Sequence, residues 1–371
     1  MLLVFKTSNM KIRAFITHKL AEQFNDCQDR FSINPDTKSV ALADGMSQSY
    51  QQKIWASLLA DSYTSNTEFV PNKASIEELS VQWHEQVKKY IEDLNANQAP
   101  QYLIIMNRNA LAMRKSAGAT FLGIRFDGNQ WNGDVLGDSC LIVLQDNRIK
   151  DILTSQDGDE FDNHPDYFDS DASRTGKGTP KQINGIVDAN TSIMLVSDPF
   201  SDFLNEKRKE GKDEEYVKEL LQVTNHDEFE ALVDKWRKEY GMHNDDSTLI
   251  IIEDDSTDKF NRANVDNIQS LIANEQQKQE KKVAQIEKNP QESEYSKIKK
   301  EEGDARLTFE EEKVHAQLSK EDFMGLFYDK YQEYNKNKTT PEKYIQKFRK
   351  AKQNPAIKYA LSKMYEIIYK K

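Results

Sequence analysis

The sequence predicts an α+β domain over residues 10–255, a charged linker over 256–306 and a small α-helical module over 307–371. Three observations carry that prediction. Short apolar segments between Ala119 and Leu153 are separated by Asp127-Gly128-Asn129 and Asp146-Asn147, the pattern of strands joined by hairpin turns. Ile76, Leu79, Trp83, Val87, Ile91 and Leu94 recur at helical spacing, so a long amphipathic helix belongs to the same domain. After Asp255 the composition changes: residues 274–304 are dominated by Gln, Glu and Lys, with almost nothing to bury.

Met10 begins Met-Lys-Ile-Arg-Ala-Phe-Ile, so residues 11–17 read as the first strand, and Met10 is a candidate start as well as Met1. The apolar Met1–Phe5 is too short for a signal sequence or a membrane span. Residues 39–43 read as a second strand of the same sheet, and Tyr50–Tyr63 as a helix burying Ile54, Leu58 and Leu59. The stripe from Ile76 to Leu94 is core, with Ser75 and Glu78 as its expected capping box. His84 beside it reads as a satisfied or solvent-facing histidine rather than a ligand.

Strands are then expected over 119–126, 131–136, 140–144 and 149–153, and helices over 214–222 and 228–240 before a last strand, 248–253. Between Ser155 and Lys181 the chain is acidic and irregular, carrying Asp157, Asp159, Glu160, Asp162, Asp166, Asp169 and Asp171. It lacks the spacing of a calcium loop and reads as a flap. The linker is either a solvated helix or a disordered segment. In the tail, Phe323, Leu326, Phe327 and Tyr331, then Thr340-Pro341-Glu342 with proline at a helix start, then Ile357, Leu361 and Met364, form a helical module. It either docks on the main domain or a second copy, or binds a protein partner.

The bulk numbers exclude some classes. The chain has 371 residues, 37% hydrophobic and 30% charged, with a net charge of -11, which argues against nucleic acid and anionic membrane as partners. Two cysteines, Cys27 and Cys140, cannot build a disulfide framework or a Cys-x-x-Cys zinc site, which points to a reducing, cytoplasmic setting.

The chemistry is concentrated at strand ends. Val40-Ala41-Leu42-Ala43 delivers Asp44-Gly45; Val135-Leu136-Gly137 delivers Asp138; Ile193-Met194-Leu195-Val196 delivers Ser197-Asp198; Asp245-Asp246 precedes Leu249-Ile250-Ile251-Ile252. Carboxylates so placed suit hard divalent cations with a preference for oxygen donors, and their mutual repulsion itself argues for bound cations. Asp202 or Asp246 taken singly reads as a cap or a supporting group rather than a ligand.

In that order the blocks Cys27-Gln28-Asp29-Arg30-Phe31, Ala43-Asp44-Gly45-Met46, Gly118-Ala119-Thr120 with Gly137-Asp138-Ser139, Ser197-Asp198-Pro199-Phe200-Ser201-Asp202 and Asn244-Asp245-Asp246-Ser247-Thr248 resemble those of the metal-dependent serine/threonine protein phosphatases of type 2C, over residues ~11–255. The resemblance implies a four-layer αββα sandwich, two antiparallel sheets flanked by helices, with the metal ligands at one end. It implies two Mg²⁺ or Mn²⁺ ions bridged by Asp44, with the Gly45 carbonyl, Asp198 and Asp245 completing the pair. Asp29 is then a ligand or the base orienting the attacking water, and Asp138 lies at a weaker third site or beside the pair. The implied reaction is hydrolysis of phosphoserine or phosphothreonine in a protein, by a hydroxide bridging two ions roughly 3.5–4 Å apart. The acidic flap suggests a basic substrate.

Departures from the family pattern concern the phosphate grip. An arginine is expected five residues before Asp29, where Phe24 stands; Lys19 or Arg30 are the candidates to replace it. Ser47, Pro199 and Ser201 also depart, and Cys27 replaces the usual asparagine. The alternative reading is therefore a catalytically weak or inactive phosphatase-like module that binds partners through flap and tail.

Overall fold

The computed structural model describes residues 9–156, 165–174, 178–255 and 261–287. Most of the acidic flap's centre, including Asp157, Asp159 and Asp162, and the module expected at 307–371 lie outside the described residues. In chain order the elements are β1 (Asn9–Thr17), β2 (Arg30–Asn34), β3 (Ser39–Ala43), α1 (Gln52–Ser65), α2 (Lys73–Ala96), α3 (Gln101–Ala112), β4 (Gly118–Ala119), β5 (Phe121–Asp127), β6 (Gln130–Leu136), β7 (Cys140–Gln145), β8 (Arg148–Leu153), β9 (Phe168–Asp169), β10 (Lys181–Ile186), β11 (Thr191–Val196), α4 (Asp198–Lys209), α5 (Asp213–Gln222), α6 (His226–Glu239), β12 (Ser247–Asp255), β13 (Asn261–Val265) and α7 (Ile268–Glu287).

Runs such as Leu249-Ile250-Ile251-Ile252 are apolar at every position because both faces of the strand are covered. Ile250 and Ile252 join Ile12, Ile193 and Leu195, together with Val40, Leu42, Leu122 and Ile124, in a core between two sheets. Leu249 and Ile251, with Met194 and Val196, face the opposite way onto Phe200, Phe203, Val217, Phe229, Val233 and Trp236 of α4, α5 and α6. One sheet runs β13-β1-β12-β11-β7-β8, the other β10-β6-β5-β3-β2. On the outer face of the second sheet α1 packs against β2, β3 and β5. The small Ala41 and Ala43 alternate with Val40 and Leu42 on β3, which leaves room for Trp55, Leu59 and Tyr63 to be fully buried. These are the four expected layers, αββα.

Several boundaries differ from expectation. The capping box at Ser75 is not used. Asn72 caps α2, its Oδ1 accepting from the backbone N–H of Ala74 at 3.0 Å and Ser75 at 3.2 Å. The expected end of the domain at 255 is moved: β13 pairs in parallel with β1, so one edge of an otherwise antiparallel sheet is closed by chain past Asp255. Past β13 the expected linker is helical, as α7. Part of the segment read as irregular is paired, Phe168 with Ala119 and Asp169 with Gly118. β2, α3, α4 and β10 had no counterpart in the sequence reading. His84 is satisfied, Nδ1 lying 2.9 Å from the Ser80 carbonyl oxygen.

The chain forms two compact units, one with residues up to Lys88 and Arg114–Leu271, the other with Lys89–Met113 and the residues from Ile272. All candidate site residues belong to the first. Among the described residues no helix is long and apolar enough to cross a membrane.

Candidate metal centre

Asp44 follows β3 directly, and its backbone is bracketed on both sides. Its carbonyl accepts from Thr120 N–H at 2.9 Å, and Met46 N–H donates to the Gly118 carbonyl at 2.9 Å. Gly45 between them has no room for a side chain: a Cβ there would lie 3.0 Å from both the Gln28 carbonyl oxygen and the Gln52 side chain. Asp29 leads into β2 and is fully buried. Its Oδ2 accepts from Thr248 Oγ1 at 2.7 Å.

Asp138 follows Gly137, whose φ of +104° disfavours other residues and where an added Cβ would lie 2.6 Å from the Thr120 side chain. The Asp138 carbonyl accepts from Ser201 Oγ at 3.1 Å and Cys140 Sγ at 3.3 Å, tying β7 and α4 to this turn. Asp198 opens α4, where the helix dipole favours an anion. Asp245 and Asp246 precede β12.

The acids act on one another. Burial pushes the Asp44 carboxyl well above the usual carboxylate range, and Asp29, Asp198, Asp138 and Asp245 push it further. Asp198 is raised well above that range by burial and then by Asp138, Asp245, Asp29 and Asp202. Asp138 is pushed up to about 6, by burial first and then by Asp202 and Asp29. Burial also raises Asp29, against the hydrogen bond from Thr248. The structure thus brings together Asp29, Asp44, Asp138, Asp198 and Asp245, five acids from separate strand ends. Asp29 Oδ1, Asp138 Oδ1 and Asp198 Oδ1 are buried without a hydrogen-bond partner, which disfavours the charged forms unless something else meets those oxygens.

A cluster of oxygen donors with orphaned carboxylate oxygens fits Mg²⁺ or Mn²⁺ in chemical type. The side chains are nevertheless not arranged as a closed shell. Among the described residues no group of three or more His, Cys, Asp or Glu side chains stands ready to hold an ion. Asp245 is turned to Lys19.

Lys19 is nearly buried, its Nζ 2.6 Å from Asp245 Oδ1 and 3.0 Å from Ser47 Oγ. Its pKa is raised: burial acts to lower it, and Asp245 more than offsets this through charge and hydrogen bond. Lys19 therefore stands at the centre, as a candidate phosphate ligand must. Arg30 does not reach it in this way, since Nη1 donates to the carbonyls of Cys27 at 2.8 Å and Asp29 at 2.5 Å. Phe24, at the position of the expected arginine, is buried edge-on to His18 with ring centres 4.7 Å apart.

Asp246 is a clamp. Its two oxygens accept from Lys19 N–H at 3.0 Å and Gln28 N–H at 2.7 Å, and its pKa is pushed up to about 7, chiefly by burial and then by Asp29. Asp202, raised by burial, faces His243 at 3.7 Å. Arg237 of α6 escaped the sequence reading: it donates to the His18 carbonyl at 2.9 Å, to Ser247 Oγ at 3.0 Å and to the Asp245 carbonyl. Nothing near Arg237 in the chain signals that role. Ser197 and Thr248 stood inside recognised blocks, and their hydroxyl chemistry was the available signal.

No protein-family model matches the chain, and no curated protein matches it. Solved structures similar to it include a serine/threonine phosphatase of S. agalactiae, at 15% identity over 66% of this chain and 100% of that one, TM-score 0.42. The catalytic domain of the serine/threonine protein phosphatase PstP, in complex with two manganese ions, is similar at 16% identity over 67% and 99%, TM-score 0.42. Serine/threonine phosphatase Stp1 of Staphylococcus aureus is similar at 14% identity over 66% and 95%, TM-score 0.43. At that identity and overlap, any functional reading rests on this chain's own side chains.

Proposed function

We propose that the first unit is a metal-dependent serine/threonine protein phosphatase of the type 2C kind, working at the Asp29–Asp44–Asp138–Asp198–Asp245 cluster. The convergence of these acids, with three buried carboxylate oxygens lacking any donor, carries the reading. Asp44, the Gly45 carbonyl, Asp198 and Asp245 are the residues to hold two Mg²⁺ or Mn²⁺ ions, with Asp138 at a third, weaker position. When bound, such ions would neutralise a phosphate dianion and lower the pKa of a water. Asp29, buried and oriented by Thr248, keeps Oδ1 available as the acceptor for a proton released at the centre. Lys19 is the chain's own cation for a phosphate oxygen, a point charge rather than the fork an arginine supplies. The net charge of -11 and the acidic flap favour a basic phosphoprotein, met in the cytoplasm.

Hydrolysis of an aryl phosphate with and without Mn²⁺ tests the proposal. The wild type should turn over only with Mn²⁺, and Asp44→Asn and Asp198→Asn should each lose at least about a hundredfold. Equal rates in all three proteins would refute it. A second reading, a weak or inactive module that binds phosphoprotein, is favoured by Phe24 in the arginine's place and by the Lys19–Asp245 pair. Mn²⁺ binding without turnover would select it.

A further inference from the structure

We propose that Lys19 is a resident cation of this centre: its ammonium holds Asp245 in the place of a second divalent ion, so the chain takes one ion tightly and another only by displacing the lysine. The inference rests on the metal-centre reading and adds to it a cation built into the chain.

The pairing follows from sheet register. β1 and β12 are antiparallel with Thr17 opposite Ser247. Two residues past that pair in each direction stand Lys19 and Asp245, so the ladder itself sets the lysine opposite the acid. Both ends are then tethered. Lys19 N–H donates to Asp246 Oδ1 at 3.0 Å, and Leu20 N–H to Asn244 Oδ1 at 2.7 Å. Asp245 Oδ1 accepts from Asp246 N–H at 2.7 Å, and its carbonyl is held by Arg237. Ser47 Oγ, one residue beyond Met46 in the Asp44 loop, accepts a further bond from Lys19 Nζ at 3.0 Å. The ammonium therefore links the Asp44 loop to Asp245, two segments that a divalent ion would otherwise have to join.

The link is displaceable. Lys19's side chain is 11% exposed but that of Asp245 is 41% exposed, and an ion pair open to water on one side is weak. A lysine ammonium is a compact charge on a flexible stem, which can leave when a stronger cation arrives.

Equilibrium binding of Mn²⁺ to the full chain, read by the electron-spin resonance signal of the free ion, tests this. Wild type should show one tight and one weak site. Lys19→Met should tighten the weak site roughly tenfold, and Lys19→Arg should leave it weak. Asp245→Asn should leave the tight site within about twofold of wild type, because the lysine already occupies that carboxylate. Unchanged weak-site affinity in Lys19→Met overturns the inference while leaving the metal centre standing. Should Lys19→Met fail to fold, the Asp245→Asn protein decides, and loss of its tight site overturns the inference. If Mn²⁺ binds to no variant and not to wild type, the metal centre itself is refuted and the inference falls with it.

Discussion

Replacing Asp44 with asparagine should stabilise this protein in EDTA at alkaline pH. In the fold the Asp44 carboxyl stands among Asp29, Asp138, Asp198 and Asp245. Burial and four neighbouring acids raise its pKa well above the ordinary carboxylate range. A carboxyl whose pKa is raised by folding contributes most below its unfolded pKa, and the contribution is lost as pH rises through the folded value. At pH 8 the fold must retain the Asp44 proton against solvent or carry its charge beside the other acids. Two unit charges about 4 Å apart repel by about 4 kcal/mol at an effective dielectric of 20. Asp44 is partly open to solvent, which takes up some of this, so about 2 kcal/mol should be regained. An asparagine amide there carries no charge and needs no bound proton. Thermal melting in EDTA should then show Asp44→Asn about 4–8 °C above wild type at pH 8, and near it at pH 4, where the proton is present in any case. With Mn²⁺ the order should reverse, since only wild type gains from the ion. An Asp44→Asn protein that melts below wild type at pH 8 in EDTA would show that the acids do not repel, and the reasoning would fail.

Two further outcomes concern what holds the centre in place. Asp246→Ala leaves the backbone N–H groups of Lys19 and Gln28 without their acceptor in a buried site, and should lower stability by about 2–4 kcal/mol in urea melts; a change under 0.5 kcal/mol would refute the clamp. Trp236→Ala empties a site where the indole is fully buried, stacked on Phe203 at 4.9 Å and bonded to Glu219 at 2.8 Å. It should cost about 3–5 kcal/mol by the same measurement, with Mn²⁺ stoichiometry unchanged because the helix layer lies behind the sheet.

Much of the architecture was readable from local pattern. Residues 140–144, 193–196 and 249–252 are apolar without alternation, which signals strands covered on both faces, and the two cores on either side of β12 bear that out. The Asp146-Asn147 turn has φ of +51° and +64°, a backbone that asparagine and aspartate tolerate. The misses also have local causes. α4 begins at Asp198-Pro199, and its buried Phe200, Phe203 and Leu204 are confined to the part before Glu206-Lys207-Arg208-Lys209, so the apolar stripe is short. β13 is polar because it is an edge strand with one neighbour. Asn72 outcompetes Ser75 as a cap because its side chain reaches two backbone N–H groups of the first turn.

For the centre itself, the sequence alone determined which donors are available and where each sits: carboxylates at the ends of apolar runs, where a strand's last side chain is delivered to the rim of a sandwich. That is short-range information, carried by periodicity and by the residue after each run. What the tertiary structure decided is how those donors are spent. Asp29 meets Thr248, and Asp246 binds two backbone amides. Asp245 pairs with Lys19 across 226 residues of chain, through the register of β1 on β12. Such pairings depend on which strands become neighbours and in what register, and nothing within a few residues of Lys19 specifies it.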